Sequence, residues 1–283
     1  MGLTLVSRRM SSFISLIVFP LLLLYVIIFR DVYSTWIPIF CVYLLVLYYI
    51  VPWAVISLHL RALWPLIMIG ALLLNADWAV AGCLVALLLI CHGFFVMVDR
   101  RKSMVITNPT EISLYILQGG YSSILNHHWR SLSQRFALDL VGLDSLGRRA
   151  KGIYPLSRED YFCFGAKVMS PFSGVVVLVQ DGCADQDIGS LDADNPMGNC
   201  VIISDDYGRQ LVFAHLLGGS VRVKSGDRVR SGDVIGRIGN SGRSTEPHLH
   251  IHAQMDVNGQ IKGIKLQIGR GLMIRNAIIK THV

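Results

Sequence analysis

The chain has 283 residues, 53% of them hydrophobic and 16% charged, a length that accommodates two folding units. Its composition changes abruptly near residue 100, which a single soluble domain would not show. The net charge of +7 divides into +4 over residues 1–103, where seven Lys/Arg face Asp31, Asp77 and Asp99, and +3 over the rest. This mild, dispersed excess suits residence beside anionic lipids or polymers, and without a basic stripe or an aromatic nucleic-acid motif it gives no support to a DNA or RNA partner.

The first elements are apolar. Residues 11–29, 36–58 and 78–98 form three runs with almost no charge, each long enough for the roughly 20 residues that cross a bilayer. The first run follows Arg8 and Arg9 but exceeds the apolar core of a secretory signal, and no small-residue cleavage site follows it. It therefore reads as a retained anchor. Residues 62–74 add a shorter apolar stretch that is either a fourth span or an interfacial segment. That choice sets orientation: with Arg8 and Arg9 inside, three spans put the second half outside. Four spans return it to the cytoplasm, where Arg100, Arg101 and Lys102 satisfy the positive-inside bias. The expected organisation is a transmembrane region of three or four helices over 1–103 and a second domain over 104–283, with a core at about 126–262.

From residue 166 onward, short β-branched runs alternate with clusters of Gly, Asp, Ser and Asn, the pattern of antiparallel β-structure. Residues 174–180, 199–204, 210–215, 233–238 and 248–254 read as strands. Ser225-Gly226-Asp227 recurs as Ser231-Gly232-Asp233, and Val257-Asn258-Gly259 offers a tight hairpin turn. Residues 111–125 are ambiguous, and the polar stretch 144–161 reads as an insertion over the sheet. Cys41, Cys83 and Cys91 lie in the apolar runs; Cys183 and Cys200 form a conceivable disulfide if the second half is exported, leaving Cys163 over.

The chemistry concentrates in Pro247-His248-Leu249-His250-Ile251-His252. Successive residues of a strand alternate faces, so His248, His250 and His252 project from one side, about 7 Å from one to the next, where imidazoles can share a metal's surroundings. Gly239-Asn240-Ser241-Gly242 leads into this run, and Phe213-Ala214-His215-Leu216 ends an earlier strand.

Taken in order, Ala-His-Leu, a Gly-Asp turn, Val-Ile-Gly, Gly-Asn-Ser-Gly and Pro-His-Leu-His resemble the lysostaphin or LytM-type zinc peptidases, over roughly residues 126–262. The resemblance implies a mainly antiparallel β catalytic domain that cleaves the peptides of bacterial peptidoglycan. It implies one Zn2+ held by a His, an Asp and the second His of His-x-His, which map the last two onto Asp139 and His250. The common pattern has its first His four residues before the Asp, where this chain has Arg135. Similar sequences with the His further back point instead to His127 or His128, and the register favours His128. The resemblance assigns His215 and His248 as the catalytic pair that is not bound to metal. His252 stands where relatives often have Glu; it is either a partner that supports a metal ligand or a polar residue of the strand face, and the second reading is preferred. A wall-cutting enzyme has to face the wall, which admits either three spans or four with the N-terminus outside, so the expected location is the bacterial cytoplasmic membrane, multi-pass, with the lipid bilayer as partner and the catalytic domain on the wall or periplasmic side. The alternative is a catalytically degenerate binding module that activates cell-wall amidases. A biotinyl or lipoyl carrier is excluded for want of a Met-Lys-Met-like hairpin tip, and a serine hydrolase for want of a Gly-x-Ser-x-Gly elbow.

Overall fold

The computed structural model describes residues 103–123 and 125–280. The expected membrane spans lie outside the described residues, and among these no helix is long and apolar enough to cross a membrane. In chain order the strands are β1 (Met104–Ile106), β2 (Leu114–Gln118), β3 (Leu138–Gly142), β4 (Lys167–Met169), β5 (Gly174–Gln180), β6 (Asn199–Ser204), β7 (Gln210–Leu216), β8 (Arg228–Val229), β9 (Val234–Arg237), β10 (Leu249–Val257), β11 (Gln260–Ile264), β12 (Leu266–Ile268) and β13 (Ile278–Ile279). The main sheet runs β13-β2-β3-β10-β7-β6-β5-β8, with β11 extending the hairpin from β10. All its pairings are antiparallel. Two small sheets accompany it, β1 parallel to β12 and β4 antiparallel to β9.

Period-2 patterning explains which side of the sheet is which. Leu249, Ile251 and Ala253 of β10 pair with Leu140 and Leu138 of β3 and with Phe213 and Leu211 of β7, and all are buried in the apolar core. Each large aliphatic or aromatic side chain so removed from water contributes about 1.5–3 kcal/mol. The intervening residues of β10, His250, His252 and Gln254, necessarily share the other face with Asp139 of β3 and Ala214 of β7.

The turns repeat what their sequences echo. Asp227 accepts from Lys224 N and Asp233 from Arg230 N, both at 2.7 Å, so the Ser-Gly-Asp pair is one turn used twice. The β10–β11 hairpin turns through Asn258 (φ 58°) and Gly259 (φ 79°), both left-handed as a tight two-residue hairpin requires. The ambiguous stretch 111–125 contains β2, and residues 144–161 carry no strand. Cys183 and Cys200 are free thiols rather than a disulfide; Gln180 Nε2 donates to Cys183 Sγ at 3.4 Å.

Candidate active site

At the centre is Asp139, buried in the middle of the sheet and directly opposite His250 in the β3–β10 register. His250 Nδ1 lies 2.9 Å from Asp139 Oδ1. From the other side, His128 Nε2 lies 3.1 Å from both carboxylate oxygens. The His128 and His250 rings meet edge to face at 4.6 Å.

His128 arrives on a single 3-10 turn, His127–Arg130, in the connection between β2 and β3. Asn126 puts it there. Its Oδ1 accepts from His128 N at 3.0 Å, capping the turn, while its Nδ2 reaches the carbonyls of Gly120, Arg135 and Ala137 at 3.0–3.3 Å. These four contacts all go to backbone, so one fully buried amide ties the loop to the start of β3. His127 also stands near the carboxylate, its ligand atom within 4.8 Å of those of His128 and Asp139, but its ring is exposed and stacks on His128 at 3.8 Å. Arg135, at the position where the common pattern has its first ligand, packs over the Trp129 ring at 5.6 Å.

His215 ends β7, where strict alternation would turn it away from the face that carries Ala214. The backbone solves this with a left-handed φ of 61° and a register shift against β6. A non-glycine residue in that conformation costs about 1–2 kcal/mol. The result is that the ring stands 4.8 Å from His248 and 5.8 Å from His250. His215 Nδ1 donates to Ser241 O at 2.9 Å. Ser241 is itself locked, its hydroxyl donating to Leu216 O and accepting from Asn199 N. The Gly-Asn-Ser-Gly segment is thus the clamp on His215, and Gly242 belongs in it because an added Cβ would meet Gly198 N at 2.4 Å.

His248 Nδ1 donates to Glu246 O at 2.8 Å and also meets Ser244 Oγ at 3.0 Å. A carbonyl only accepts, so both His215 and His248 carry their proton on Nδ1 when neutral and present the Nε2 lone pair. His248 Nε2 points inward, 3.7 Å from Asp139 Oδ1. Behind it, buried Arg149 grips the Glu246 carboxylate at 3.0 and 3.2 Å and lies beside the Tyr154 and Tyr161 rings, fastening the 144–161 insertion to the segment that delivers His248.

His252 lies on the polar face of β10, as its sequence reading had it, and is buried there: it is 3% exposed, and its Nδ1 lies 3.0 Å from His250 Nε2. Alternation along the strand puts it on that face, and its burial is a property of the folded domain.

Electrostatics follow from burial. Desolvation alone raises the Asp139 carboxyl, but the imidazoles of His128 and His248 beside it and the close approach of His128 and His250 nitrogens hold it well below the usual range. Desolvation, then His248 and His250, pushes His215 well below the ordinary histidine value. Burial also lowers His250 despite Asp139, and it lowers His252 to about 3. Burial thus favours the neutral form of His215, His250 and His252 around a carboxylate that stays charged. Two nitrogens and a carboxylate converging from separate elements form the donor set that a Zn2+ ion takes with an open position left over, so the residues present fit such an ion.

The β-domain with this histidine and aspartate cluster has a counterpart among known families: residues 159–261 match the model of Peptidase family M23. The matched stretch holds His215, His248 and His250 and begins after Asp139. A stretch of 63 residues (22% of this chain) is 44% identical to the DD-carboxypeptidase/endopeptidase Mpg of Neisseria meningitidis serogroup B, over 14% of that protein. Endolysin 2638A of Staphylococcus phage 2638A is 36% identical over 76 residues, 26% of this chain and 16% of the endolysin. The chain therefore matches less than a fifth of the length of either relative. The solved catalytic domain of lysostaphin from Staphylococcus simulans is 19% identical, covering 54% of this chain and 88% of that domain with a TM-score of 0.31.

Proposed function

We propose that the chain is a membrane-anchored zinc metalloendopeptidase that hydrolyses peptide bonds in bacterial peptidoglycan. The observation that carries this reading is the meeting of His128 Nε2 and His250 Nδ1 on the Asp139 carboxylate, with His215 and His248 beside it. The M23 match and the partial likeness to Mpg support the choice of peptide substrate. Anchoring in the cytoplasmic membrane, with the catalytic domain toward the wall, rests on the apolar runs within residues 1–103.

In this reading His128, Asp139 and His250 hold the ion, and His215 and His248 are the catalytic residues. The bound ion supplies Lewis acidity to a scissile carbonyl and to an attacking water. The protein's own part is acid–base and electrostatic. With Nδ1 tied to a backbone carbonyl, the Nε2 of either His215 or His248 is held as an acceptor toward the site, and one of them takes the water's proton. That proton passes on to the departing amine nitrogen, while the other ring, having taken a proton from solvent on Nε2 beforehand, donates a hydrogen bond to the oxygen on which negative charge develops and keeps the proton as the carbonyl re-forms. Both rings are buried and braced, so little reorganisation accompanies the reaction. The degenerate-module alternative drew on Arg135, and Arg135 packs on Trp129 while His128 meets the carboxylate.

The test is zinc analysis of the purified chain together with chromatography of muropeptides released from peptidoglycan. The expected result is about one zinc per chain, with peptide cross-links cut and both lost to a chelator. A folded chain that holds no zinc and releases nothing overturns the reading.

A further inference from the structure

From His250 a line of hydrogen-bonded polar groups leaves the site, buried at His252 and half-buried at Gln254 and Gln210, and these last three have no role in the chemistry above. His250 Nε2 lies 3.0 Å from His252 Nδ1, His252 Nε2 lies 3.2 Å from Gln254 Oε1, and Gln254 Nε2 donates to Gln210 Oε1 at 3.0 Å. The first three residues lie on one face of β10, and Gln210 is the cross-strand partner of Gln254 on β7. Every link is within hydrogen-bonding distance.

The direction of this chain is determined from its far end. Gln254 gives its N–H to Gln210, so its oxygen faces His252 and requires a donor there. His252 Nε2 therefore carries the proton, and in a neutral ring Nδ1 is then an acceptor. His250 accordingly donates from Nε2, which leaves the Nδ1 lone pair aimed at Asp139. A lone pair 2.9 Å from a carboxylate oxygen is repulsive by itself and favourable once a cation lies between them. We propose that His252, itself oriented by Gln254, is a positioning residue that sets the tautomer of His250 and so prepares Nδ1 to take a divalent metal. This rests on the metallopeptidase reading and adds to it a hydrogen-bond relay that runs from the site to the outer end of the β7–β10 pairing.

Partners that fix a ligand imidazole are commonly worth 10–100-fold in metal affinity. The experiment is competition for Zn2+ between the full-length chain and a chromophoric chelator, for wild type, His252→Phe, His252→Glu and Gln254→Leu, with folding checked by circular dichroism. The Co2+-loaded proteins are compared by their visible spectra, which report the ligand geometry. His252→Phe removes the acceptor and is expected to weaken Zn2+ by about 10–100-fold and to alter the Co2+ bands. His252→Glu restores an acceptor and is expected to bring both back toward wild type. Gln254→Leu leaves both imidazoles in place and is expected to weaken Zn2+ by a smaller factor, and it carries the test alone if His252→Phe does not fold. Unchanged affinity in folded His252→Phe and Gln254→Leu overturns the proposal while leaving the metallopeptidase reading intact. A wild-type chain that takes up no Zn2+ overturns both.

Discussion

His250 stands directly across the β3–β10 ladder from Asp139, and the pairing of their backbones is what brings Nδ1 to 2.9 Å from Oδ1. The two residues are 111 positions apart, so the site exists only when β3 and β10 are neighbours in this register. A slip of one residue would turn His250 into the apolar core and Ile251 into the site.

The first-ligand question has a direct test. His128→Ala removes a nitrogen 3.1 Å from both oxygens of Asp139 and is expected to lower zinc affinity about a hundred-fold or more and abolish hydrolysis, whereas His127→Ala, which removes an exposed ring, is expected to retain zinc. Zinc titration of the two purified variants decides it, and the opposite ranking would move the ligand to His127.

His215 and His248 are expected to separate chemistry from metal binding. His215→Ala and His248→Ala should each keep about one zinc while kcat falls by about 10²–10⁴. Their Nε2 atoms have no part in the donor set centred on Asp139, and their Nδ1 atoms are tied to Ser241 O and Glu246 O. Loss of zinc from either variant would show that the histidine is a ligand.

Acid should unfold the metal-free protein earlier than its surface charges suggest. His252 is held near 3 by burial, against about 6.5 in an unfolded chain, so between those values the unfolded state binds one more proton than the folded state. Its contribution is present in full above about pH 6.5 and disappears as pH falls toward 3, by about 1.4 kcal/mol per unit. His215 is shifted in the same direction and adds to the slope. Thermal melts of the chelated chain are expected to show Tm falling from pH 7 to 5, and less steeply in His252→Phe; equal slopes would contradict the neutral, buried state of His252.

Two buried polar anchors outside the donor set are expected to matter for stability. Arg149→Ala leaves the half-buried Glu246 carboxylate without its partner and should cost about 1.5–3 kcal/mol in denaturant unfolding. Asn126→Ala removes the cap of the 3-10 turn and three bonds to backbone, with an expected loss of about 1–3 kcal/mol and weaker zinc binding, because the turn carries His128. A stable Asn126→Ala chain with undiminished zinc affinity would show that the loop holds its shape by other means.

Much of the catalytic face is legible in the residues themselves. Strands β5 and β6 fall on the stretches expected for them, and the alternation of His248, His250 and His252 with Leu249 and Ile251 separates a polar face from an apolar one within five consecutive residues. Local rules suffice there, because a strand's side-chain period and a turn's backbone angles are properties of consecutive residues. His215 is less legible, since alternation alone points it the wrong way and a left-handed bend reverses it. The residues that brace the site, Asn126, Ser241, Ser244, Arg149 and Glu246, are ordinary polar residues in sequence, and their significance is the long-range partner each one finds.

What the sequence determined by itself is the class of fold, the histidine face of β10 and the types of residue available to hold a metal. Only the tertiary structure decided that His128 is the histidine that meets Asp139, that Arg135 turns to Trp129, and that His252 is buried in a relay ending at Gln210. The physical reason is burial. Whether a polar side chain is solvated or desolvated, and which partner compensates it, depends on what packs over it from elements remote in the chain, and no local pattern carries that information.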